Sequence, residues 1–329
     1  MPILERGQAT RIPGQPVVSG IGVWDGGTVH GEAQFGQIDT GELLSSVAEI
    51  AAAGLTRRRT MDYHLFVHPN DEAAISKLKA VPGFDIATRM FMKFGIEQYC
   101  RGLYMANHIR LSPKQLPRIY NLLPPLCNIL GIEVPELYLQ MYPTPNAYTV
   151  GDKRNYIVMT SGVLDCLEGD DEIRSVLAHE CGHIACRHVF YTTMVQMMLN
   201  FGSRYEVVQH IQEPLMLAYN FWARQSELSA DRAAAVCLGG VVTPINTILR
   251  LAGGPFRYTR ELDLEEYADQ MMESEGLQKG GTWQKFLSDY VEMDEDHPFT
   301  STRVKELLRW GNGPLFAKAI EVVQHKLLS

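Results

Sequence analysis

The amino-acid sequence predicts an α+β fold that is mainly α, with one small antiparallel sheet. Two observations carry this prediction. Apolar residues recur at helical spacing over long stretches on either side of a short central region, and within that region, Glu136 to Thr160, they alternate and are broken by polar turns. With 329 residues, 46% of them hydrophobic, the chain can bury a substantial core.

Residues 1–60 differ in character from the rest of the chain. Glycines recur from Gly7 to Gly41 and break any long helix, while Val17-Val18 and Ile21 to Trp24 are short apolar pieces. Gly41 to Leu55 reads as a short helix with Leu43, Leu44, Val47 and Ile50 on one side. This Gly-rich extension either wraps over the surface of the main body or serves as a pro-segment or lid over its cleft.

The main body is expected over residues 61–329. A helical scaffold comes first, at 71–131. Asp71 is a candidate cap ahead of Ala73, Ile75 and Leu78, and Pro82-Gly83 is a break. Ile86 to His108 continues as one or two helices whose Met90, Phe91, Met92 and Phe94 read as core. Ser112-Pro113 starts a further helix, interrupted at Pro124-Pro125 and closed by Gly131.

The sheet occupies 136–160, with strands at Glu136 to Met141, Asn146 to Val150 and Tyr156 to Thr160. The last two are joined as a hairpin by the turn Gly151 to Asn155. Two long helical segments come next, at 171–200 and 214–238. In the first, Asp170 or Asp171 is the cap and Ile173, Val176, Leu177 and Ile184 mark the buried side; Gly202 ends it. The second begins near Pro214 and stops at Gly239-Gly240, and a helical part at 262–329 completes the chain.

Charge and cysteine usage exclude some functions. A formal net charge of -8 leaves no extended basic footprint, so nucleic acid is not an expected partner. Arg57-Arg58-Arg59 is the one compact basic run and reads as a solvated linker. The six cysteines are scattered, without a C-x-x-C pair, and read as reduced, buried thiols. The amino terminus lacks the apolar core of a secretory signal, and no segment has the uninterrupted apolar length of a membrane span. These features together predict a cytoplasmic protein.

The chemistry is concentrated in His179-Glu180-Cys181-Gly182-His183. Residues four apart share a helix face, so the two imidazoles can converge on one cation while Glu180 points beside it, the arrangement of a zinc peptidase. Cys181 points away from that face and reads as packing. A hydrolytic zinc site needs three protein ligands and a position for water. A third histidine six residues beyond the second is ruled out because position 189 is Val, and His188 lies off the face.

A glutamate from the later helix is the alternative. Arg224, Glu227, Asp231 and Ala234 form one stripe there, so Glu227 is the candidate third ligand, and Asp231 can hydrogen-bond the far nitrogen of a ligating histidine. Arg224 or Arg232 could neutralise the added acid. One Zn2+ per chain would then acidify a water whose proton Glu180 takes and passes to the leaving amine. The hairpin just before this helix offers an edge strand to line the cleft. Its opening residues Asn146, Ala147 and Tyr148 are candidates for binding an extended peptide as an added strand.

These residues resemble the gluzincin metallopeptidases of the CAAX prenyl protease, HtpX and BepA family. The likeness runs through Asn146-Ala147-Tyr148, Gly151, Tyr156 to Thr160, Gly162-Val163-Leu164, Glu172 to His183 and the R-x-x-E-x-x-A-D-x-x-A stretch from Arg224 to Ala234, within about Asp71 to Leu308. It implies a zincin-like metallopeptidase domain, endopeptidase activity on extended substrates and zinc on His179, His183 and Glu227. It also draws in His297, followed by Pro298, and Arg303 as catalytic partners, with His297 near the zinc or the oxyanion. Membrane-embedded members carry spanning helices between the two zinc-binding helices; here Gly202 to Glu213 is more polar, so prenylated substrates are not carried over.

The expectation is therefore a zinc-dependent endopeptidase acting on peptide or unfolded-protein segments. A latent zymogen and a zinc-stabilised, chaperone-like peptide-binding module are the alternatives.

Overall fold

The computed structural model describes residues 61–81, 84, 88, 96–151, 153–201, 206–263, 266–267, 269–271, 273 and 299–328. The extension 1–60, with its expected helix at Gly41 to Leu55, lies outside the described residues. So do His297, most of Ile86 to Gly95, and much of the segment between residues 264 and 298.

After a short 3-10 turn at Tyr63–Leu65 come helices α1 (Pro69–Lys79) and α2 (Ile96–Asn107) and strand β1 (Ile109–Arg110). Asp71 does not cap α1. His68 occupies the cap, its ring accepting the Asn70 N–H, and Asp71 lies buried within the first turn. No single helix starts at Ser112 either. Ser112 and Gln115 close a tight turn, after which come the short α3 (Pro117–Tyr120) and α4 (Leu123–Leu130). The two prolines begin α4, where a missing N–H costs nothing, and Gly131, with φ of 70°, ends it as expected.

The sheet is four-stranded and mixed, where an antiparallel sheet was expected. Its order is β1-β2-β4-β3, with β2 (Glu136–Gln140), β3 (Ala147–Gly151) and β4 (Asn155–Thr160). The hairpin fixes β3 antiparallel to β4 in the register Tyr148↔Val158. It joins the sheet through β4, which lies parallel to β2 with Tyr138 opposite Val158, and this leaves β3 at the edge. The two central strands are covered on both faces, as parallel pairs usually are. Leu137, Ile157 and Met159 enter the main core, while Tyr138, Tyr156 and Val158 pack with Tyr104 of α2 on the other side.

Beyond the sheet come α5 (Ser161–Cys166), α6 (Asp170–Ala185), α7 (His188–Phe201), α8 (Glu206–Leu238), α9 (Val242–Gly253), α10 (Phe256–Thr259), α11 (Thr300–Gly311) and α12 (Pro314–Leu328). Gly169 stands at the cap of α6, and Asp170, Asp171 and Glu172 fall in its first turn, where carboxylates favour the helix dipole. The expected continuous segment 171–200 is two helices. The chain breaks at Arg187, whose φ of 64° is uncommon for a residue with a side chain. Helix α8 starts earlier than expected and runs through Pro214.

The main core is formed by α4, one sheet face, α6, the carboxyl half of α8, α9, α11 and α12. A second cluster joins Ala74 and Leu78 of α1 to Met194 and Val195 of α7 and Leu215, Tyr219 and Trp222 of α8. Cys181 is buried in the main core, its Sγ 3.8 Å from that of Cys127. Among the described residues, Cys127, Cys166, Cys181, Cys186 and Cys237 are free thiols. No described helix is long and apolar enough to cross a membrane.

Candidate active site

Helices α6 and α8 hold the site between them because one position on α6 is glycine. A Cβ added to Gly182 would lie 2.7 Å from the Cβ of Ala233 and 3.0 Å from the Cα of Ala230, so a larger residue would push the helices apart. Gly182→Ala is expected to cost about 1–3 kcal/mol of stability through this overpacking. It should also weaken metal retention, because Glu227 rides on the displaced helix. Thermal unfolding and metal content of the purified variant check both effects.

At this contact His179 and His183 of α6 meet Glu227 of α8, with one donor atom from each lying within 4.8 Å of the others. The two Nε2 atoms are 3.2 Å apart. Each lies 3.2 Å from one of the two Glu227 oxygens. Three donors at tetrahedral angles about a cation, each roughly 2.0–2.1 Å from it, would be separated by about 3.3–3.4 Å, so the set fits such an ion. Two imidazoles and a carboxylate are also the donor chemistry expected of it.

The surroundings polarise the two rings differently. Burial alone would push the His179 ring down, but Glu227 and Asp231 outweigh it and hold its pKa up to about 10. Burial lowers that of His183. Asp231 Oδ1 lies 3.0 Å from His179 Nδ1.

Arg303 of α11 donates to both Asp231 oxygens, at 2.8 and 2.6 Å, and its Nη2 lies 3.6 Å from Glu227. Arg224, expected near this acid, instead lines a separate depression with His68, Asn70 and Glu306. Position along α8 explains this: Arg224 is two turns from Asp231, while Arg303 approaches from the packed α11.

A cavity of about 270 Å³ opens over the three donors. Asn146, Ala147 and Tyr148 of the edge-strand region line it together with Thr149, Glu180 and Arg303. Glu180 is buried, and Thr149 Oγ1 donates to its Oε2 at 2.6 Å. The outer side of β3 is tied to α7 at one end, where the Gly151 N–H donates to Thr193 Oγ1.

The sequence reading missed three residues here: Thr149, His188 and Asp71. His188 Nδ1 lies 2.9 Å from His183 Nδ1, and its Nε2 lies 2.8 Å from Asp71 Oδ2. The break at Arg187 folds His188 back behind His183. The signal available was the unusual count of imidazoles within ten residues.

The pattern described as peptidase family M48 matches residues 131–311, more than half of the chain and the whole of the donor set. The chain belongs to peptidase family M48. Its similarity to M48-type proteins extends beyond that segment. Plastoglobule-localized metallopeptidase 48, chloroplastic, from Arabidopsis thaliana is 25% identical over 316 residues, covering 93% of this chain and 89% of the relative. A protease HtpX homolog from Ralstonia nicotianae is 27% identical over 235 residues, covering 63% of this chain and 78% of the relative. One from Thermococcus sibiricus is 26% identical over 225 residues, covering 60% and 75%. M48 membership and these names support a protease of metallopeptidase type. The plant relative's name places that protein in the chloroplast, a compartment other than the cytoplasm expected from the sequence.

Proposed function

We propose that the protein is a zinc-dependent endopeptidase hydrolysing peptide bonds within extended polypeptide segments, with residues 61–329 as its peptidase domain. The observation that carries this reading is the convergence of His179, His183 and Glu227 beside Glu180, beneath an edge strand. Zinc held by these three side chains would supply Lewis acidity and lower the pKa of water.

The remaining work falls to the chain's own groups. Glu180 takes the proton of the attacking water and passes it to the leaving amine, and Thr149 fixes the rotation of its carboxylate. Asp231 and Arg303 hold the His179 ring in place. An antiparallel ladder turns alternate residues outward, so Ala147 and Thr149 present backbone groups on the same side as Gly151. A substrate laid there as an added strand would pass over the cavity. His297 is retained as a partner for the oxyanion on the strength of the family resemblance.

The test is cleavage of a mixed peptide library by the full chain as purified, after chelation, and after zinc is restored, with zinc content measured at each stage. Cleavage that disappears with the metal and returns with it is the expected result. Stoichiometric zinc without cleavage at any position would overturn the endopeptidase reading in favour of a latent or purely peptide-binding protein.

A further inference from the structure

The side chains behind His183 form a buried chain that the proposed reaction does not itself require. It runs from His183 Nδ1 to His188 Nδ1 at 2.9 Å, then from His188 Nε2 to Asp71 Oδ2 at 2.8 Å. Asp71 also accepts from Trp222 Nε1 at 3.0 Å and from Ser229 Oγ at 2.6 Å. Ser229 Oγ in turn accepts the His68 N–H at 2.9 Å. Asp71, His188, Trp222 and Ser229 are all buried.

The hydrogen positions along this chain can be assigned from both ends. At the metal end, a ligating Nε2 needs a lone pair, so the proton of neutral His183 must sit on Nδ1 and point at His188. His188 Nδ1 must then be bare and its proton must be on Nε2. At the acid end, Trp222 is only a donor, and Ser229, which accepts from the His68 N–H, gives its own hydrogen to Asp71. Asp71 is left as an acceptor, which requires the proton of His188 to be on Nε2. The two ends thus demand the same tautomer of His188 independently.

We propose that Asp71 and His188 are positioning residues of the metal centre, a carboxylate–histidine relay that fixes the tautomer and orientation of His183 from the amino-terminal scaffold. Asp71 lies outside the segment 131–311 matched by the family pattern, so α1 contributes to the site from outside that segment. Arg187 is the hinge of the device: its left-handed conformation turns the chain so that the first residue of α7 reaches back to α6. The inference rests on His183 being a zinc ligand.

Asp71→Asn is the diagnostic change because it keeps size and reverses direction. With its amide nitrogen toward His188, it donates to Nε2, moves that proton to Nδ1, and sets two N–H groups against each other at His183. With the amide turned over, its nitrogen faces the Trp222 N–H. The first arrangement opposes the ligating tautomer; the second keeps it only by losing the Trp222 tie that holds residue 71 against His188.

The experiment is zinc competition against a chromophoric chelator, using full-length wild type, Asp71→Asn, His188→Leu, His188→Asn and Leu78→Val, all checked for folding by circular dichroism. Loss of such supporting partners is expected to weaken zinc binding by about 10–100-fold in Asp71→Asn and His188→Leu. His188→Asn, whose amide oxygen can accept near the position of Nδ1, should recover part of the loss. Leu78→Val thins the packing of the same helix away from the relay, and should lower the unfolding temperature without changing zinc affinity. Zinc binding by folded Asp71→Asn and His188→Leu as tight as wild type would overturn the relay, as would an equal loss in Leu78→Val. A wild-type chain that takes up no zinc would overturn the metal-site reading, and the relay with it.

Discussion

Glu180→Gln protein is expected to keep its zinc while its kcat falls by about 10²–10⁴-fold, the range contributed by a positioned general acid–base. Metal retention is expected because Glu180 is not among the converging donors, which are His179, His183 and Glu227. The fold should be kept because glutamine fills the same buried space, and its amide oxygen can still accept from Thr149 Oγ1. What glutamine cannot do is take a proton from water. Thr149→Val should show a smaller fall in kcat with KM little changed, because it frees the carboxylate to rotate without removing it. The measurements are steady-state cleavage of a peptide found in the library screen and zinc content of each protein. Wild-type turnover by Glu180→Gln would mean that the base is another group, and the assignment of roles over the cavity would fail.

The parts of this site legible in the sequence are those set by one helix's own geometry. His179 and His183 four apart, and Glu227 and Asp231 four apart, lie on one face whatever the rest of the chain does. The hairpin was legible for a similar reason, since alternation and a polar turn are local signals. Contacts set by tertiary packing were not. Asp71 has the composition and position of a cap, and only the approach of α7 and α8 makes it a buried partner of His188 and Trp222. Nothing about arginine favours a left-handed conformation, so the break at Arg187 that returns His188 to His183 left no mark in the pattern. The parallel pairing of β2 with β4 depends on where the hairpin docks, which strand periodicity does not encode. Gly182 occupies an unconstrained position of the histidine motif; its necessity comes from Ala230 and Ala233 on another helix.

Arg303 carries the second large prediction, because family resemblance and geometry assign it different work. The resemblance pointed to a transition-state partner. The geometry has its guanidinium engaged by both oxygens of Asp231, whose side chain is 4% exposed, while that of Arg303 is 19% exposed. Burial opposes both charges. Arg303, followed by His179, outweighs it at Asp231 and lowers that carboxyl's pKa, and Asp231 does the same for the arginine, raising its pKa. Removing one member of such a pair leaves the other charged and buried, so Arg303→Met is expected to cost about 3–5 kcal/mol at neutral pH. Lysine cannot grip both oxygens of a carboxylate, so Arg303→Lys should recover only part of this. The sign with pH comes from the depressed pKa: the stabilisation is fully present above the ordinary carboxylate value of about 4 and is lost as pH falls through the lower folded value. The gap in unfolding temperature between wild type and Arg303→Met should therefore be widest near neutrality and narrow below about pH 4. An unchanged unfolding temperature at neutral pH combined with a large fall in kcat would reverse the assignment. In that case the guanidinium leaves Asp231 during turnover to face the reacting carbonyl, and His179 is held by Asp231 alone.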